Sequence, residues 1–61
     1  MQPFTVDDIQ ALAAAGVKDD AIEKEIEISQ SKFTPADIEA AQQASPPIHP
    51  AVIAYMQSHA S

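Results

Sequence analysis

Residues 4–26 read Phe-Thr-Val-Asp-Asp-Ile-Gln-Ala-Leu-Ala-Ala-Ala-Gly-Val-Lys-Asp-Asp-Ala-Ile-Glu-Lys-Glu-Ile, and this stretch predicts two short helices joined at a glycine corner. Thr5 is a good N-cap, because its hydroxyl accepts a bond from one of the backbone N–H groups that a helix start leaves unpaired. Asp8 stands three residues on, as an acidic version of the capping box, and Asp7 and Asp8 both face the positive end of the helix dipole. Phe4, just before the cap, and Ile9, at the fourth helical position, have the spacing of a hydrophobic staple, which fixes how the chain enters a helix. Ile9 and Leu12, with Ala13 beside them, continue the inward face at helical spacing. Gly16 then supplies the left-handed C′ conformation that ends many helices.

The same spacing recurs along the chain. Val17 and Ile22, Phe33 and Ile38, and Ile48 and Ile53 are each five residues apart, as Phe4 and Ile9 are. The implied caps are Thr5, Lys18, Thr34 and His49. Thr34 is followed by Pro35 at N1 and Asp37 at N3, and Pro50 stands at N1 of the last helix. Lys18 is a poor cap, so the second start rests on Asp19 and Asp20. Four stapled starts in so short a chain imply an internal repeat. The expected helices span Thr5–Ala15, Asp19 to about Ile28, Pro35–Ala44 and Pro50 to about Gln57. Repeat one covers residues 4–28, a polar connection 29–32, repeat two 33–57, and a frayed tail 58–61. Gly16 makes the first corner, and Pro46 and Pro47 break the chain at the second. Asp20 and Lys24 form an i,i+4 pair in the favourable order. Ala41 stands where the first copy has Leu12, which lets a neighbouring helix approach closely. The expected fold is all-α: one domain over residues 1–61, a small bundle of four short helices in two helix–corner–helix pseudo-repeats, with the two Phe residues near its centre.

Composition narrows the function classes. A chain of 61 residues makes one domain at most, and its core is small. There are no cysteines, so neither a disulfide nor a thiolate-bound zinc ion stabilises it. Nine acids against three Lys/Arg residues give a net charge of −6, which argues against nucleic acid and against an anionic membrane surface. No apolar run approaches the roughly 18–20 residues of a membrane span. The N-terminus lacks the pattern of a signal peptide, which points to the cytoplasm for the chain as it stands, or to a bacterial envelope if a signal segment has been removed.

Candidate chemistry is sparse. His49 and His59 are ten residues apart with no cysteine near them, a spacing that does not suit a metal site. The paired acids Asp7-Asp8 and Asp19-Asp20 serve helix starts, and a calcium loop would need alternating ligands and a closing glutamate. The serines have no base and acid partners, and one glycine cannot make a phosphate loop. The expectation is a non-enzymatic chain with no catalytic, cofactor-binding or metal-ligating residue and no small-molecule substrate. Residues 40–61 contain no Asp, Glu, Lys or Arg. Interface cores are depleted in charge, so this half is the expected meeting surface for a protein partner or a second copy, centred on Ala41, Val52, Tyr55 and Met56.

Two family resemblances follow from these residues. The pattern Phe-Thr-x-x-Asp-Ile…Ala-Gly-Val…Ile resembles the paired short-helix repeats of some bacterial exported proteins and lipoproteins. Thr5, Asp8, Ile9, Leu12, Ala15, Gly16, Val17 and Ile22 match in the first copy, and Thr34, Asp37, Ile38, Ala44, Ile48 and Ile53 in the second. The second copy departs at Ala41 and at Ser45-Pro46-Pro47. The resemblance implies a small all-helical accessory or interaction module of the bacterial envelope, and the expected function is a protein-interaction or structural module, self-associating or part of a larger bacterial protein. Ile9, Leu12, Ala15, Gly16 and Val17 are also similar, more weakly, to the first corner of ubiquitin-associated domains. That similarity implies ubiquitin or peptide recognition at Ala15-Gly16-Val17, with Ala15 and Val17 in place of the usual Met and Phe side chains.

Overall fold

The structure, a computed structural model, describes residues 4–60. Four helices follow in order: α1 (Val6–Ala14), α2 (Asp19–Ser29), α3 (Pro35–Gln42) and α4 (Pro50–Gln57). The fold is a small all-α bundle. Each helix begins at the cap its sequence implies. Thr5 and Thr34 each form a complete capping box. The Asp8 and Asp37 carboxylates accept the backbone N–H of Thr5 and Thr34, both at 2.9 Å. The threonine hydroxyls accept from the N–H of Asp8 and Asp37 at 3.3 and 3.2 Å. Lys18 and His49 occupy the other two N-cap positions without a side-chain cap bond.

At the end of α1, Gly16 has φ +85°. Its N–H bonds to the carbonyl of Ala13, and the N–H of Val17 bonds to that of Leu12, both at 3.0 Å. These are the two bonds of a Schellman motif, which satisfies carbonyls that the helix end would otherwise orphan. The α2 terminus uses the same backbone region without glycine. Gln30 has φ +55° and donates its N–H to Ile26 and Glu27.

The helices pack as a closed square. The backbone of α1 lies close to α2 and α3, and that of α4 close to α2 and α3, while the diagonal pairs stand further apart and meet only through the shared core. The buried core comprises Ile9, Ile22, Ile26, Phe33, Ala41, Ile48, Val52 and Met56. Phe33 occupies it fully, while Phe4 packs on its margin, so the two rings do not share the centre. All four staple pairs belong to the core or pack against it, but the buried member differs. Ile9 and Ile22, at the fourth helical position, are buried in the first two pairs, whereas Phe33 and Ile48, before the cap, are buried in the last two.

The end of the third helix is also corrected: α3 ends at Gln42, before Ala44, and the Ser45–Pro46 peptide that follows is cis. The expected frayed tail makes backbone contacts through Ala60. The Phe33 N–H donates to the carbonyl of His59 at 3.0 Å, and Phe33 and Ala60 form an isolated parallel bridge. Ser61 lies outside the described residues.

Candidate functional site

The connection read as simply polar contains a buried hydroxyl relay. Ser31 is buried, and its Oγ accepts the Phe4 N–H at 2.7 Å. It lies 2.9 Å from Ser29 Oγ, which donates to the carbonyl of Ile26 at 2.9 Å. Each hydroxyl has one proton, so the order is fixed: Phe4 donates to Ser31, Ser31 to Ser29, and Ser29 to Ile26. This relay pins the entry of α1 to the exit of α2 and holds Phe4 at the rim of a cleft.

That cleft runs between α1 and α2, is open to solvent, and has a volume of about 630 Å³. Asp8, Ala11 and Leu12 line one wall at helical spacing, and Ala21, Glu25 and Ser29 line the other. Phe4 and Val17 complete the lining. The alanines leave the space that larger residues would fill. Asp8 is held by its capping box, while Glu25 has no partner among the described residues. Ile28, the exposed large hydrophobic side chain at 57% accessibility, lies on the same helix. It is three residues beyond Glu25 and seven beyond Ala21. At about 100° per residue it falls on the cleft side of α2, away from Ile22 and Ile26.

A second cleft, of about 540 Å³, gathers the two corners: Gly16, Val17, Pro46 and Pro47 line it together with His49 and Asp19. The His49 Nδ1 meets the Asp19 carboxylate at 2.8 Å, joining the starts of α4 and α2. Gln10 donates through Nε2 to the Pro46 carbonyl at 2.9 Å, holding the proline corner to α1. Asp20 does not pair with Lys24. Its carboxylate instead accepts the neighbouring Ala21 N–H at 2.9 Å. His59 places its ring 4.8 Å from that of Tyr55.

The chain matches no family model, no curated protein and no solved structure.

The surface expected around Ala41, Val52, Tyr55 and Met56 is mostly interior. Ala41 and Met56 are fully buried and Val52 is 1% exposed, so in this chain they belong to the core. Tyr55 alone is half-buried, with its hydroxyl donating to Glu27 at 3.3 Å. Partial burial, and then the negative charge and hydrogen bond of Glu27, push its phenol above the ordinary value of 10.0. Lack of charge in residues 40–61 thus marks core as much as surface. At the Ala15-Gly16-Val17 corner, Ala15 and Gly16 are exposed and Val17 is half-buried. The residues missed in sequence are Glu25 and Ile28. Ile28 carried a signal, because it is out of phase with Ile22 and Ile26 on one helix. Among the described residues, no group of three or more His, Cys, Asp or Glu side chains is placed to hold a metal ion.

Proposed function

We propose that this chain is a non-enzymatic protein-interaction module built from two helix–corner–helix repeats. The observation that carries the proposal is the open α1–α2 cleft with the exposed Ile28 beside it. A single exposed isoleucine is ordinary, but Ile28 stands on the helix that forms one wall of the cleft, and exposed apolar surface beside a cleft is of the kind that binds proteins. The use made of the charged residues supports the same proposal. Asp8, Asp20 and Asp37 hold helix starts, and Asp19 pairs with His49, so these acids serve the fold. The pairing of helices favours the repeat: exchanging α1 with α3 and α2 with α4 leaves the set of packed pairs unchanged. The proposed halves differ in which staple member is buried.

A partner should be retained by the parent chain and lost by Ile28→Asp, with circular dichroism unchanged, because Ile28 contributes little to the core. The test is crosslinking and mass spectrometry from the source cells, repeated with that variant. Recovery of the same proteins by both chains would remove the cleft side of α2 from consideration. A second interaction, with ubiquitin at Ala15-Gly16-Val17, is favoured by the exposure of Ala15 and Gly16. Titration with ubiquitin would then shift the amide resonances of those residues, and no shift at high concentration would dispose of it.

A further inference from the structure

Resting on the interaction-module proposal, we infer that the α1–α2 cleft receives a cationic amphipathic segment of another protein, with its apolar side chains against Leu12, Val17 and Ile28 and its Lys or Arg side chains against Glu25 and Asp8. The occupant follows from charge. Seven of the nine acids lie between Asp7 and Glu27, against Lys18 and Lys24, a balance of −5 in this half of the chain. The cleft lining combines the apolar Phe4, Leu12 and Val17 with one carboxylate from each helix, Asp8 and Glu25. An incoming basic residue meets Glu25 without displacing a partner among the described residues. A second copy is a poor occupant. The chain has three Lys/Arg residues and a net charge of −6, and a two-fold interface brings a surface against itself, so Glu25 and Asp8 would face like charge. Nucleic acid and anionic lipid are repelled by the same field. An amphipathic helix seated by its apolar face, with flanking positive charge, satisfies both the apolar and the carboxylate parts of the lining.

The test uses a synthetic leucine–lysine peptide in amphipathic helical order, about 18 residues long, titrated into the chain by isothermal calorimetry and by NMR. Resonances of Leu12, Val17, Ala21, Glu25 and Ile28 should move together. Shortening the screening length from about 30 Å at 0.01 M salt to about 10 Å at 0.1 M should weaken binding several-fold. Two charge-matched variants give the decisive comparison. Glu25→Lys should weaken binding by roughly 3- to 10-fold, whereas Glu39→Lys, the same charge change on α3, should weaken it less than twofold. Ile28→Ser, which removes an exposed apolar contact without changing charge, should also weaken binding, and unchanged affinity would overturn the apolar half of the inference.

Equal losses from Glu25→Lys and Glu39→Lys would mean diffuse charge attraction and would overturn the inference. Binding of a leucine–glutamate peptide as tightly as the lysine version would overturn it as well. So would peptide-induced shifts confined to the second cleft around Gly16 and Pro47. These results would leave the broader proposal standing if crosslinking still recovered an Ile28-dependent partner. Loss of that partner as well would remove both.

Discussion

The backbone at the two helix ends provides the sharpest quantitative test of the fold. Gly16 and Gln30 both terminate helices with positive φ, at +85° and +55°. A side chain built on Gly16 meets nothing within 4 Å, so any cost of substitution is backbone strain rather than collision. Gly16→Ala should cost about 1 kcal/mol, and β-branched Gly16→Val about 1–2 kcal/mol. Gln30→Gly should move the other way and stabilise by about 0.5–1 kcal/mol, since the left-handed penalty outweighs the extra freedom of glycine in the unfolded chain. A chemically made chain with D-alanine in place of Gly16 should also gain about 0.4–1 kcal/mol, because that residue favours positive φ and has open space around it. At roughly 0.05–0.15 kcal/mol per residue, the whole domain holds about 3–9 kcal/mol. Each kcal/mol then moves Tm by about 4–8 °C. Urea titrations followed by circular dichroism would read these changes as shifts in midpoint at constant slope. A Gly16→Ala chain as stable as the parent, or a D-alanine chain less stable than it, would refute the corner geometry.

Three other perturbations probe separate parts of the molecule. Ser31→Ala leaves the Phe4 N–H without its acceptor and should cost about 1–3 kcal/mol in the same urea assay, whereas Ser45→Ala, on the exposed proline corner, should change stability by less than about 0.5 kcal/mol. Ala41→Leu, which enlarges the side chain at a fully buried site, should destabilise by about 1–3 kcal/mol through overpacking. Tyr55 is the single tyrosine, and the chain has no tryptophan, so ultraviolet absorbance follows its ionisation alone. The folded phenol should titrate above 10.0, and Glu27→Gln should lower the midpoint. The folded state binds this proton more tightly than the unfolded chain. Its contribution to stability is therefore complete below the unfolded value near 10 and is lost as pH rises through the raised folded value.

Local grammar made most of the fold legible. The caps Thr5 and Thr34, the glycine at position 16 and the prolines at 35 and 50 act within a few residues of themselves, and the helices begin where those residues direct. Features that depend on distant partners were hidden. Ser31 reads as a linker residue until Phe4, 27 positions away, donates to it. Gln30 gives no sign of a left-handed turn, because the signal for one is glycine. His49 finds Asp19 across 30 positions, and the tail is held by the Phe33 N–H.

The candidate site was less legible than the fold. The uncharged residues 40–61 pointed to a surface, but depletion of charge accompanies burial in a core as readily as burial in an interface. Ala41, Val52 and Met56 took the first course. The opposite half carries the cleft, and there the informative residue was an isoleucine set out of phase with its neighbours. Its position relative to the cleft follows only when α1 is placed beside α2.

The most direct test is the mass of the chain in solution, measured by light scattering over a wide concentration range at low and moderate salt. If the α1–α2 cleft is kept for a basic partner of another kind, the chain stays at its monomer mass of 6.5 kDa throughout. A stable dimer that dissociates on Ile28→Asp would contradict this, and would show that the cleft side of α2 is covered by a second copy.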